Sequence, residues 1–298
     1  MTSGGSAVLG LSTRLLPGTL ASKFQQAGEV GFDALCLDQT ELEGAQPEDL
    51  ATLIELFGVP VQALEAGFSL EDLGAGDDGA GLNTAPLRAA FATCAVLDIP
   101  VLVLPTGRAG AEPDWVTLAA LADRYRTKLA ILPTPGSTVL ADETAMAAML
   151  AAVPEPRLGL ALNAAHVLHD GAQPARLRGL PGERIHHVQL VDAAGDSTQR
   201  PADLLPGQGD LNLAALVRLL ARSGYSGPWC LTRNTGPDAV SSAPHLPTSA
   251  AVGGARRLPR VSGPARRRGA HGARLCPPSA DAARPGLPQG AGVHRIRH

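Results

Sequence analysis

Lysine is nearly missing from this chain. It occurs only at Lys23 and Lys128, against 23 arginines. With abundant Ala, Gly and Pro, that bias points to a GC-rich coding sequence more than to a binding function. Cysteine is scarce too. Cys36, Cys94, Cys230 and Cys276 form no CxxC pair, which argues against a disulfide framework or a zinc knuckle. No run approaches the roughly 18 uninterrupted apolar residues of a spanning helix. The stretch Met1–Ser6 lacks the basic head of a secretion signal. A reducing cytoplasm is therefore expected, with no membrane partner. What is present is a hydrophobic share of 45 %, enough to exclude a chain disordered throughout.

The net charge of −3 hides a split between two segments. Residues 1–233 hold 15 Lys and Arg against 26 Asp and Glu, a balance of −11. Residues 234–298 hold 10 Arg against 2 acids, a balance of +8. That second segment also has 9 Pro, 9 Gly and no aromatic residue, and no helical or alternating period. Such a composition buries too little apolar surface to offset its ordering entropy. It is expected to be a disordered appendage, a basic arm, or out-of-frame text from GC-rich DNA. Nucleic-acid binding is disfavoured, because no aromatic side chain interleaves Arg256-Arg257 or Arg266-Arg267-Arg268 to stack on bases.

Within residues 1–233, short β-type runs alternate with helical stretches. The predicted strands are Ala7–Ser12, Ala34–Leu37, Val59–Ala63, Val101–Leu104, Lys128–Leu132, Leu158–Leu162, His187–Val191 and Trp229–Thr232. Most are continuous apolar runs, as in strands covered on both faces. The predicted helices are Leu20–Val30, Pro47–Leu56, Thr84–Leu97, Pro113–Tyr125, Asp142–Ala152 and Asn212–Ser223, with a shorter one at Pro174–Leu180. Gly31 and Gly224 stand at stop positions, and Pro47 and Pro86 stand at starts. Eight strand–helix alternations over about 230 residues fit a (β/α)8 barrel. A doubly wound sheet would favour a glycine-rich loop after the first strand, and Ser12-Thr13-Arg14-Leu15-Leu16 is not one. The last helix looks weak or missing: it starts at Pro237-Asp238-Ala239-Val240 and is broken by Pro244 and Pro247. An uncovered groove there would seek a partner, such as a second copy in a homo-oligomer.

Five segments then resemble one family in order. Gly31-Phe32-Asp33-Ala34-Leu35 is similar to "GFDGVEL", and Leu158-Gly159-Leu160-Ala161-Leu162-Asn163-Ala164-Ala165-His166 to "GLxLDxxH". Ile185-His186-His187-Val188-Gln189-Leu190-Val191-Asp192 is similar to "IxHVHLKD". Pro206-Gly207-Gln208-Gly209-Asp210-Leu211-Asn212 is similar to "PGEGDID", and Gly224-Tyr225-Ser226-Gly227-Pro228-Trp229 to "GYDGPL". Together, over residues 7–233, they resemble the xylose-isomerase-like TIM-barrel superfamily of sugar phosphate isomerases and epimerases.

The resemblance implies four ligands for a divalent ion at the barrel mouth: Glu, Asp, His and Glu on strands five to eight. By position these fall on Leu132, Asn163, Gln189 and Thr232, so all four matches fail. Hard divalent ions need carboxylate charge. No metal and no other cofactor is therefore expected, and proton transfer by family carboxylates is lost. His166 falls on the family histidine that contacts substrate oxygens and is the catalytic candidate. Asn163, His187, Gln189 and Arg200 are the substrate-binding candidates. His187 and Gln189, two apart on one strand, share a face. Asp38 and Glu65, just past strands two and three, are the only carboxylates placed near the mouth, where barrels keep functional groups. Both are expected to be solvated surface groups. Asp192 is expected to be a loop or cap residue, and Cys36 and Cys230 core residues. Three readings stay open. One is a metal-independent isomerase, epimerase or lyase acting on a small polar sugar-like or keto compound. The others are a non-catalytic ligand-binding or partner-binding barrel, and a truncated or frame-shifted isomerase.

Overall fold

The computed structural model describes residues 8–74, 82–108, 113–168, 172–193 and 204–233. The strands are β1 (Leu9–Ser12), β2 (Ala34–Asp38), β3 (Val61–Glu65), β4 (Val101–Pro105), β5 (Lys128–Leu132), β6 (Leu158–Asn163), β7 (Ile185–Leu190) and β8 (Trp229–Leu231). The helices are α1 (Leu20–Val30), α2 (Pro47–Phe57), α3 (Ala85–Val96), α4 (Trp115–Tyr125), α5 (Glu143–Ala152), α6 (Ala164–Val167) and α7 (Leu213–Arg222). The eight strands run parallel in sequence order, and β1 pairs with β8 to close the barrel. This is the (β/α)8 architecture expected from the alternation of apolar runs and helical stretches.

Local chemistry sets the helix ends. Thr19 caps α1 by accepting from the Ser22 N–H, and Gly31 ends it in the left-handed conformation at φ 78°. Asp114, Asp142 and Asn212 cap α4, α5 and α7 in the same way as Thr19. Strand β3 begins two residues later than expected, since Pro60 has no N–H for the ladder. The segment Pro174–Gly179 is a 3-10 helix, shorter and tighter than the predicted helix there. The expected final helix and the basic segment 234–298 lie outside the described residues. Among the described residues, no helix is long and apolar enough to cross a membrane.

Side chains alternate along each strand. Leu35, Leu37, Leu64, Leu102 and Leu104 pack outward against Phe24, Phe91 and other helix residues. A second, smaller cluster fills the barrel interior: Cys36, Ala63, Val101, Val103, Ala130, Leu132, Ala161 and Cys230. Barrel interiors usually carry bulky branched residues. Alanine at three of these places leaves volume for inward polar groups. Two ladder irregularities deliver such groups. Pairing jumps from Leu35–Val61 to Cys36–Ala63, which drops Gln62 out of the β2–β3 ladder. It also jumps from Leu160–Ile185 to Ala161–His187, which drops His186 out of the β6–β7 ladder. Bulges of this kind re-aim side chains.

The base of β6 is equally tight. Arg184 donates to the carbonyls of Leu158 and Val153 at 2.9 and 2.8 Å, tying β6 to the end of α5. Gly159 faces the Arg184 carbonyl so closely that a Cβ would collide with backbone. Gly159→Ala should therefore cost about 1–3 kcal/mol of stability, read as a lower urea midpoint with an unchanged slope.

Candidate functional site

The carboxyl ends of the strands form the mouth of the barrel, where enzymes of this architecture place their chemistry. Directly after β1, the 3-10 turn Thr13–Leu15 carries Arg14. Its Nε donates to Asp38 Oδ2 at 2.5 Å, and its Nη1 lies 3.1 Å from Glu65 Oε1. Asp38 ends β2 and is fixed from both sides. Its N–H donates to Thr13 Oγ1, and its Oδ1 accepts from the Thr40 N–H and hydroxyl. Glu65 ends β3. Its second oxygen accepts from Gln189 Nε2 at 3.1 Å, across the barrel on β7. Gln189 Oε1 in turn accepts from Asn163 Nδ2 at 2.9 Å. Asn163 Oδ1 accepts from the N–H groups of Ala165 and His166, capping the short α6. One hydrogen-bonded chain thus spans the mouth from Asp38 through Arg14, Glu65 and Gln189 to Asn163.

The structure brings together three of the sequence candidates: Asn163, Gln189 and His166. Asn163 and Gln189 are buried, while His166 is partly exposed. His166 Nδ1 sits 3.3 Å from the Pro133 carbonyl. A carbonyl only accepts, so Nδ1 carries the proton, and Nε2 is the basic nitrogen of the neutral ring. His187 lies one inward position below Gln189 and is 1 % exposed. Burial pulls its pKa down to about 4, so it is neutral at pH 7. Arg200 lies outside the described residues. Asp192 is the loop organiser that was expected: its carboxylate accepts from the N–H groups of Ala193, Gly207 and Leu211.

Arg14 was not among the candidates, and two of its partners were misread. Asp38 and Glu65 are not solvated surface carboxylates. Asp38 is 6 % exposed, and the Glu65 side chain is 15 % exposed. The reason is the guanidinium between them, which offsets the cost of taking two carboxylates out of water. The available signal was a charged residue just past each of three successive strands, with the first opposite in sign to the other two.

The two carboxylates titrate in opposite senses. Burial acts to raise the Asp38 carboxyl, but the Arg14 hydrogen bond and charge outweigh it and hold it below the ordinary range. For Glu65 burial wins over Arg14, and its carboxyl sits above the ordinary range. The Arg14 guanidinium, although burial works against its charge, is held more firmly protonated by Glu65 and Asp38.

The four positions that correspond to the family's metal ligands hold an aliphatic group, two amides bonded to each other, and the Thr232 hydroxyl. The nearby carboxylates are already paired with Arg14. This donor set does not suit a hard divalent ion.

A closed parallel barrel with helices between its strands defines a TIM-barrel protein. More narrowly, the chain belongs to the xylose isomerase-like TIM barrel family, whose model matches residues 24–251. A 3-dehydroshikimate dehydratase of Pseudomonas putida is 35 % identical over 81 residues, a match covering 26 % of this chain and 13 % of that enzyme. Among solved structures, a xylose isomerase-like TIM barrel/4-hydroxyphenylpyruvate dioxygenase fusion protein superposes with a TM-score of 0.68 at 20 % identity. That superposition covers 83 % of this chain and 41 % of the fusion. The IOLI protein, solved with a binding zinc atom, superposes with a TM-score of 0.69 at 18 % identity, over 84 % of this chain and 96 % of its own. These two likenesses concern the fold.

Stability against pH separates the two carboxylates. A carboxyl with a lowered folded pKa contributes stability above its ordinary value of 3.8, and loses it as pH falls. Asp38→Asn should therefore cost most near pH 7, and its cost should shrink below about pH 4. A carboxyl with a raised folded pKa contributes below its ordinary value of 4.5 and loses that as pH rises. Glu65→Gln should improve relative to the parent as pH climbs past 4.5. Melting temperatures of both variants from pH 3 to pH 8 measure this; parallel curves contradict it.

Proposed function

We propose that the mouth binds a small hydroxylated keto compound bearing a carboxylate, and that its chemistry runs without a divalent ion. The observation that carries this reading is Arg14, bridged between Asp38 and Glu65 at the strand ends. Two of its five N–H donors are spent on those carboxylates, which leaves three for ligand oxygens. Its planar fork matches a carboxylate or a developing enolate. The matched Pseudomonas enzyme is named for 3-dehydroshikimate, a hydroxylated keto acid, and that chemical class supports the same reading.

Residue roles follow from the geometry. Arg14 holds the ligand and stabilises negative charge on the carbonyl oxygen as it grows. Glu65, lifted by burial above the ordinary carboxylate range, accepts the proton from the carbon beside the carbonyl. The C–H electron pair moves into the enolate. The enolate then either recaptures the proton from Glu65 or expels a neighbouring hydroxyl, which leaves as water with that same proton, while His166 Nε2 accepts from a ligand hydroxyl. Gln189 and Asn163 keep Glu65 in place and present amide edges to ligand hydroxyls. A second reading, a binding barrel without turnover, draws on the four substituted family positions.

Calorimetric titration with 3-dehydroshikimate, together with a turnover assay run with and without added magnesium or manganese, tests this. Saturable binding without added metal is expected. Arg14→Met should lose about tenfold or more in affinity, about 1.4 kcal/mol. Glu65→Gln should keep binding and lose about 10²- to 10⁴-fold in turnover. Binding with no turnover selects the second reading. Turnover that needs added metal and survives Glu65→Gln overturns both.

A further inference from the structure

Beneath the mouth lies a group that the mouth does not use. Cys36 on β2, His187 on β7 and Cys230 on β8 each present a ligand atom within 4.8 Å of the other two. All three are buried, inside an apolar shell that includes Ala63, Ala130 and Ala161. We propose that Cys36, His187 and Cys230 form a buried zinc site inside the barrel, separate from the mouth.

Three observations carry the inference. First, the donor set is a soft one, two sulfurs and an imidazole, and that set suits zinc rather than a hard ion. Zinc–sulfur and zinc–nitrogen bonds of about 2.3 and 2.0 Å place donors nearly 4 Å apart, so the cluster need contract only slightly. Second, His187 Nδ1 is fully buried with no hydrogen-bond partner among the described residues. A buried polar atom left that way costs about 1–3 kcal/mol unless something unseen satisfies it. Third, the surroundings are built toward the cluster. Both ladder irregularities fall at its members, just before Cys36 and just before His187. Gln62, released by the first, donates its Nε2 to Cys36 Sγ at 3.1 Å and to the Trp229 carbonyl at 3.2 Å. A donor aimed at a sulfur is the outer contact that steadies a metal thiolate. Gly10 leaves room beside it, because a Cβ there would push the Gln62 amide out of this position.

The charge balances. Two thiols each release a proton, and the two thiolates neutralise one Zn²⁺. The neutral imidazole is the third donor, and the fourth position is left for water or the Gln62 carboxamide. No oxidant or reductant takes part.

The full chain, purified under reducing conditions and dialysed against zinc, should hold about one zinc per chain by elemental analysis. Cobalt in its place should give sulfur-to-cobalt charge-transfer absorption and the visible bands of a tetrahedral ion. Cys36→Ala combined with Cys230→Ala should abolish both signals, and Gln62→Leu should weaken zinc affinity by about tenfold or more. The mouth variant Asn163→Ala should leave both unchanged. Should the double variant not fold, X-ray absorption at the zinc edge of the parent protein must report two sulfur neighbours. A folded parent chain that takes up neither zinc nor cobalt overturns the proposal, as do zinc retained by a folded double variant and an absorption edge without sulfur.

Discussion

Two carboxylates at the ends of adjacent strands repel each other in a buried mouth unless a cation or a shared proton offsets their charge. In this barrel the cation is Arg14. Its Nε reaches Asp38 and its Nη1 reaches Glu65. Because β1, β2 and β3 are neighbours in the sheet, the bridge costs no long loop. A guanidinium on the chain differs from a bound ion in two respects. It cannot dissociate, so each carboxylate keeps its cationic partner whatever the solution holds. It also presents fixed planar donors instead of open coordination positions. The mouth thereby carries a fixed cation whose remaining edges are hydrogen-bond donors.

The rest of the mouth continues the same chain of hydrogen bonds. Gln189 gives its N–H to Glu65 and takes one from Asn163. Only a side chain that both donates and accepts can hold that place. A second carboxylate at 189 would repel Glu65, and a thioether or alkyl group would leave both neighbours unpaired. Asn163 has the same double duty, accepting from the first turn of α6 while donating to Gln189. Arg14, Gln189 and Asn163 are therefore held in one hydrogen-bonded chain through Glu65.

Most of the fold was legible because each short apolar run is bounded by its own chemical stops. Helix α1 matches its expected span at both ends, and the reasons are Thr19 and Gly31. Strand β3 was displaced because hydrophobicity alone ignores the missing N–H of Pro60. Of the mouth's residues, only the positions of Asn163, Gln189 and His166 were legible as site candidates, where a family pattern marked them. Arg14 was invisible to spacing. Its first partner is 24 residues away, and nothing local says that a 3-10 turn after β1 will aim a guanidinium across to β2 and β3. The same holds for Cys36 and Cys230. No CxxC joins them, yet β1, which pairs with both β2 and β8, brings their strands to either side of it.

The barrel interior then explains why the mouth is so well placed. Its polar groups come in two levels on shared strands: Cys36 below Asp38 on β2, and His187 below Gln189 on β7. Period-two alternation locks each pair to one face. On β7 that face is decided by the irregularity that skips His186. In a regular ladder Ala161 would meet His186, and His187 and Gln189 would turn outward together. The same single-residue bulge thus places a donor in the interior and the central amide of the mouth. Neither level can be lost by a register shift without losing the other, and this binds the packing of the barrel to whatever its mouth holds.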